Sequence, residues 1–382
     1  METRKLFYED SHLMEFSATV TACEEAKNGW AITLDATAFY PEGGGQACDL
    51  GVLGDANVLD VQEIEGKILH FCDKTLEVGQ IVSGRVDRAR CFDLMQQHSG
   101  EHIVSGIICH RFGYHNVGFH VGSDRMEIDF DGPISPDVLA EIETLANEAV
   151  WQNLPIRCWY PSAEELPTVP YRSKKALDWP VRIVEIPGVD SCACCGVHVK
   201  NTGEIGLIKL ISCVKFHSGV RIEMSCGGRA LALTQAVFAQ NKQVSQAFSA
   251  KMLETGAAAV KMNEQLSAEK LRANTLQTQL LRQTAQGYRN AGNVVHFEEN
   301  LNGGQLRELA DAIAACCGGR AVALSGSGND WNICMLHPGG DLTPVIHALK
   351  ETLPVRGGGK PGSFQGTVQA TRQELERFFN GR

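Results

Sequence analysis

The stretch Gln96-Gln97-His98-Ser99-Gly100-Glu101-His102-Ile103-Val104-Ser105-Gly106 sets the reading of this chain. Leu94, His98, His102, Ser105 and then Ile108 or Cys109 recur at three- and four-residue steps between Cys91 and Phe112, the period of one helix face. Two histidines four apart on such a face leave it together, with Cβ atoms about 5–6 Å apart. That is a spacing from which both rings can reach one metal ion.

Before this helix the chain is β-rich. From about Ser17 to Val86, short apolar runs such as 17–23, 30–35, 58–64, 67–72 and 80–86 alternate with turn signals, which predicts a small domain, a barrel, over 1–90. After it, a second helix is expected over 135–153, opened by Ser135 before Pro136 and bracketed by β-type segments, so 91–229 reads as an α+β domain. Residues 230–290 hold alanines, glutamines and charges, with Met262, Leu266, Ala273, Leu276 and Leu280 on alternating four- and three-residue steps. This predicts a long helical arm, suited to spacing or to forming a homodimer. Strand and helix signals alternate again over 291–382, a terminal α/β domain. The fold class is thus α+β and multidomain.

Zinc takes four tetrahedral ligands from cysteine and histidine, commonly as two local pairs. The second pair lies in 191–206, SCACCGVHVKNTGEIG, where Cys194 and His198 are four apart and Gly196 permits a tight loop. The residues expected to hold Zn2+ are His98, His102, Cys194 and His198, although Cys192 and Cys195 rival Cys194 on spacing alone. His98 to His102 also spells H-x-x-E-H, the inverted zinc-peptidase pattern with glutamate as base. A cysteine/histidine pair fits that enzyme class poorly, and Glu101 is kept as a base or as a partner to a ligand. Upstream, 35–51 (DATAFYPEGGGQACDLG) ends a strand in a glycine loop, with Thr37 and Gln46 as polar contacts for something bound there. It lacks the lysine and hydroxyl of a Walker motif.

The 382 residues carry 43% hydrophobic and 21% charged side chains, ordinary for a globular protein, and no apolar run nears a membrane span. The amino terminus has scattered charges and no cleavable apolar stretch, so the expected address is cytoplasmic, with the 14 cysteines reduced. A net charge of −10 argues against non-specific nucleic-acid binding but leaves room for local basic patches. The candidates are Arg85, Arg88 and Arg90, then Arg172, Lys174 and Lys175, then Arg356 with Lys360.

Taken in order, these segments resemble the alanyl-tRNA editing family, found in alanyl-tRNA synthetases and in free-standing AlaX proteins. TAFYPEGGGQ (37–46) is similar to its T-x-F-Y-x-E-x-G-G-Q segment, HSGEH (98–102) to its H-x-x-x-H, and CCGVHVKNTGEIG (194–206) to its C-G-G-T-H-V-x-x-T-G-x-I-G. SGVRIEM (218–224) resembles the segment that follows, and GGGKPGSFQGTVQ (357–369) the GGGKP signature of the DHH-associated domain of the synthetases. Cys195, Val197 and Glu101 depart from the usual residues. The resemblance implies Cys194 as the cysteine ligand. It also implies trans-hydrolysis of Ser-tRNA(Ala), with Gly-tRNA(Ala) as a second substrate, Thr37 bonding the serine hydroxyl and Gln46 positioning substrate or water. Arg356, Gly357, Gly358, Gly359 and Lys360 would grip the mischarged tRNA(Ala). The residues before Thr37 are too few for a class II catalytic domain, so no tRNA charging is expected. Two alternatives stand beside this reading: a zinc-stabilised tRNA-binding protein without turnover, and a threonyl-tRNA editing domain, which shares the histidine/cysteine pattern.

Overall fold

The computed structural model describes residues 2–27, 29–122, 125–173 and 179–380. Lys174 and Lys175, two of the basic candidates, lie outside the described residues. The chain divides into two compact units, Met1–Gln243 and Val244–Arg382.

In the first unit, six antiparallel strands close into a barrel in the order Glu15–Ala26, Gly29–Leu34, Lys67–Cys72, Ala56–Ile64, Gly51–Leu53 and Ile81–Val86. The alternation that suggested strands is the inside–outside period of a barrel wall: Val82, Gly84 and Val86 point in and Ile81, Ser83 and Arg85 point out. Two residues near the amino terminus, Arg4–Lys5, pair in parallel with Ala36–Thr37, which ties the start of the chain to the strand carrying Thr37.

The last barrel strand runs straight into the helix Arg88–Phe112. Asp87 caps it, accepting the backbone N–H of Ala89 at 3.0 Å and of Arg90 at 3.2 Å, and Gly113 ends it with a left-handed φ of 70°. The single helix face read from the sequence is too narrow a description. Every residue from Gln97 to Gly106 is buried, whichever way it points. A helix enclosed on all sides threads a core instead of covering one.

Around it sit a four-stranded sheet, in the order Ile208–Phe216, Gly219–Cys226, Met126–Phe130, Asn116–Val121, and a three-stranded one, Arg157–Trp159, Ile183–Ile186, Asp190–Ala193. The helix Pro136–Trp151 is capped by Ser135 and clipped to the larger sheet by Asn147, whose amide both donates to and accepts from the backbone of Ile208. One apolar core runs from the barrel (Phe39, Leu53, Ile68) through the enclosed helix (Ile103, Val104) to the larger sheet (Ile128, Ile222) without a break near residue 90.

The segment expected as a helical arm forms two helices, Gly227–Phe248 and Thr255–Gln286, exposed along most of their length. The second unit is built on a five-stranded sheet in the order Gly292–Glu298, Gly318–Ser327, Asp330–Leu336, Ser363–Gln369, Val355–Lys360. Its strands feed both faces alternately. Ala321 and Ala323 join the core under the helix Gly303–Cys317, while Val322 and Leu324 join the opposite core with Leu349, Leu375 and Phe379. Among the described residues no helix is long and apolar enough to cross a membrane.

Candidate metal centre

The enclosed helix delivers His98 and His102, and the loop after strand Asp190–Ala193 delivers Cys194 and His198. The four ligating atoms lie within 4.8 Å of one another. Cys194 Sγ stands 3.4 Å from His98 Nε2 and 3.6 Å from His198 Nε2. Zinc–nitrogen bonds of about 2.0–2.1 Å and zinc–sulfur bonds of about 2.3 Å at tetrahedral angles give an N···S edge of about 3.5 Å. The donor set therefore fits a tetrahedral ion of that size.

Each ring is also held from behind. His98 Nδ1 donates to Gln46 Oε1 at 2.7 Å, His102 Nδ1 to Asp190 Oδ2 at 2.9 Å, and His198 Nδ1 pairs with Ser99 Oγ at 3.1 Å. Fixing Nδ1 leaves Nε2 turned to the shared centre, which is how partners behind ligands orient a metal site. Asp190 is in turn gripped by the Arg172 guanidinium at 2.7 and 2.9 Å. Arg172, read from the sequence as part of a basic patch, is thereby engaged inside the site. Gly196 passes so close to His98 that a Cβ there would run into the imidazole.

The electrostatics favour a thiolate. Burial works to raise the Cys194 thiol, yet His98, His102 and His198 around it hold it well below its ordinary value. Burial likewise opposes the charged form of His102, but the bond to Asp190 and the neighbouring Cys194 and Glu101 raise it to about 10. His198 is pushed well below the usual range by burial and by its positive neighbours. A thiolate is the form in which cysteine binds metal. Of the rival sulfurs, Cys192 groups instead with His102 and Asp190, its thiol pushed up by burial, and Cys195 is exposed.

The other expected site residues divide into two groups. Gln46 and Glu101 join the metal cluster. A bridge between Gly43 and Gln46, with backbone bonds of 3.1 and 3.0 Å, folds the glycine loop back so that the Gln46 side chain reaches His98. Glu101 Oε1 accepts from Ser105 Oγ at 2.5 Å and Asn116 Nδ2 at 2.6 Å, while Oε2 lies 3.9 Å from His102 Nε2. Burial acts to raise its pKa, and His102, Arg172 and His98 outweigh it, so Glu101 is held ionised.

Thr37 stands instead with a residue the sequence did not single out. Its Oγ1 is 2.8 Å from His70 Nε2 and accepts the Phe39 N–H at 3.1 Å, and both side chains are wholly buried. His70 Nδ1 lies 3.0 Å from the Ile32 carbonyl and must donate to it. Its Nε2 then accepts the Thr37 proton. Burial pushes His70 down to about 4, so the ring is neutral and this polarity is fixed. His70 looked like one more residue of the strand 67–72, and only its inward register marks it as polar in a core. Arg182 was also missed. Its Nη1 donates to the carbonyls of Cys194 at 2.9 Å and Gly196 at 2.8 Å, and its guanidinium stacks 4.5 Å from the ring of Tyr8. The hydroxyl of Tyr8 donates to the Cys195 carbonyl at 2.7 Å. In the second unit, Arg356 to Lys360 form an exposed edge strand paired with Ser363–Gln369.

Comparison with known proteins places this geometry. Residues 181–223 match the family model described as the threonyl and alanyl tRNA synthetase second additional domain, and residues 2–90 that of tRNA synthetases class II (A). The class is therefore that of proteins sharing these synthetase modules. Within it, the chain is similar to alanyl-tRNA editing proteins and to alanine–tRNA ligases. It is 27% identical to the Danio rerio alanyl-tRNA editing protein Aarsd1 over 98% of this chain and 96% of that one. With the Mus musculus protein of the same name it shares 33% identity over 54% of each chain. It is also 30% identical to the alanine–tRNA ligase of Thermofilum pendens, over 98% of this chain but 44% of the ligase. The chain spans between 26% and 44% of the first alanine–tRNA ligases it matches.

Proposed function

We propose that this chain is a zinc-dependent trans-editing deacylase that hydrolyses the ester of Ser-tRNA(Ala), and of Gly-tRNA(Ala) as a second substrate. The observation that carries this is the cluster His98, His102, Cys194 and His198, whose three rings are each fixed through Nδ1. A zinc ion bound there supplies Lewis acidity and orients oxygen ligands.

The chain's own residues supply the rest. Glu101 Oε2, the oxygen left free of Ser105 and Asn116, takes the proton of the attacking water and returns it to the leaving ribose oxygen. Gln46 orients what lies against His98. Thr37 spends its only proton on His70, so its remaining lone pair accepts a hydrogen bond from a serine hydroxyl. Alanine offers no such donor, and the unmade bond costs about 1–3 kcal/mol. This is the second sieve that a synthetase pocket for small side chains requires.

Exposed Arg356 and Lys360 on the glycine-rich strand are assigned to tRNA contact, and exposed Leu271, Leu276 and Leu280 to a homodimer contact read by light scattering. A cytoplasmic address completes the reading. One feature favours a second reading, a tRNA-binding protein without turnover: four protein ligands already complete a tetrahedron. Incubating the purified chain with Ser-tRNA(Ala) and Ala-tRNA(Ala), with and without zinc, separates the two. Zinc-dependent release of serine is expected, and tight binding with no release would select the second.

A further inference from the structure

The three-stranded sheet that delivers Cys194 places an aromatic surface beside it. In register, Trp159 pairs with Ile183 and Ile183 with Ala193. One residue further, Tyr160, Arg182 and Cys194 lie abreast, and the pairing continues there, since the Cys194 N–H donates to the Arg182 carbonyl at 3.1 Å. Just past Tyr160, the Pro161 carbonyl accepts the indole N–H of Trp179 at 3.1 Å. Two large rings thus stand at this end of the sheet that delivers the metal loop, with Tyr160 52% exposed and Trp179 57% exposed. Arg182, itself buried with its Nη1 on the Cys194 and Gly196 carbonyls, adds positive charge beneath the same row. No carboxylate pairs with it among the described residues, whereas nearby Lys5 is held by Glu63 at 2.8 Å.

Exposed rings above a positively charged base are the chemistry of single-stranded nucleic-acid binding. Any base can stack on an aromatic face, and positive charge beneath the rings favours the approach of a polyanionic strand. A double helix offers no free base faces to such rings. Single-stranded ends do.

We propose that Tyr160 and Trp179, with Arg182 behind them, form the platform on which the unpaired 3′ end of tRNA lies as its terminal ester reaches the metal cluster. This rests on the editing reading above. Stacking holds the last bases, and the row Tyr160–Arg182–Cys194 sets the direction in which the strand enters. Tyr160 and Trp179 act as binding residues and touch no reacting atom.

The test uses the full chain with Tyr160→Ala, Trp179→Ala, both together, and Tyr160→Phe. Affinity is measured for tRNA(Ala) with its 3′ end intact and with its single-stranded end removed, alongside kcat and KM for deacylation. Each alanine substitution is expected to weaken binding of intact tRNA by about tenfold. Binding of trimmed tRNA stays unchanged, KM rises with little change in kcat, and Tyr160→Phe behaves as the parent. Unchanged zinc content and circular dichroism show that the variants fold. A doubly substituted chain that still prefers intact over trimmed tRNA as strongly as the parent overturns the platform, as does a parent with no preference. If the parent hydrolyses nothing yet the variants lose the preference, the platform stands and the editing reading fails.

Discussion

The metal cluster and the glycine-rich strand Val355–Lys360 were both legible as motifs, yet they are opposite kinds of structure. In the first, His98, His102 and His198 are almost inaccessible to solvent and each has its second nitrogen assigned to a named partner. In the second, Arg356 to Lys360 all face solvent on a sheet edge. A buried polar group must find its partners within the fold, so its surroundings carry a record of its chemistry. An exposed one finds them in water or in a ligand, and leaves no such record.

That difference orders the expected effects. Cys194→Ala or His98→Ala should remove bound zinc and abolish deacylation, because the remaining donors no longer form a tetrahedron. Metal content by atomic emission with a parallel deacylation assay checks this, and a metal-free variant with full activity would break the mechanism.

Next comes His70. Its pKa falls from 6.5 in the free side chain to about 4 in the fold, so the unfolded chain takes up a proton over a range where the folded one does not. The His70 contribution to stability is complete above pH 6.5 and is lost as pH falls toward 4. Its size is about 3 kcal/mol. Urea unfolding at pH 7 and pH 5 should show the parent losing more stability than His70→Gln, and equal losses would mean the ring is not held neutral.

Asp190→Asn should weaken zinc binding roughly 10- to 100-fold, the usual effect of removing a ligand's carboxylate partner. Competition with a chelator measures it. Unaltered affinity would reduce Asp190 to a structural anchor for Arg172. Thr37→Val should erode selectivity for serine over alanine by on the order of tenfold, read as the ratio of kcat/KM for the two aminoacyl-tRNAs. Retained selectivity would move recognition elsewhere. Smallest of all, Arg356→Ala and Lys360→Ala should weaken tRNA binding only a few-fold, each reducing the salt slope by about one. A loss as deep as that at the buried cluster would erase the contrast.

The same contrast explains what the sequence disclosed. His98 and His102 announce themselves by a helical period, and Cys194 and His198 by a local loop, because each pair is made within one element. Asp190, Arg172 and Arg182 support those ligands from other parts of the chain, and no spacing rule joins Arg172 to His102. The tautomer of His70 depends on a carbonyl of Ile32, 38 residues away. The enclosed helix shows the converse. Its period marked a helix correctly, but burial on every side follows from surrounding elements that no single-helix pattern contains.

The unbroken apolar core has a consequence for metal exchange. Small zinc domains have no interior except the one their ion gathers, and chelators unfold them. Here the histidine helix is bedded among Leu94, Met95, Ile103, Val104 and Ile108, all with almost no solvent exposure, an interior built from apolar side chains apart from the four metal donors. A zinc ion held by the proposed ligands is therefore expected to exchange for cobalt, a spectroscopic probe, with the far-UV circular dichroism unchanged, and unfolding on chelation would show that the core depends on the ion.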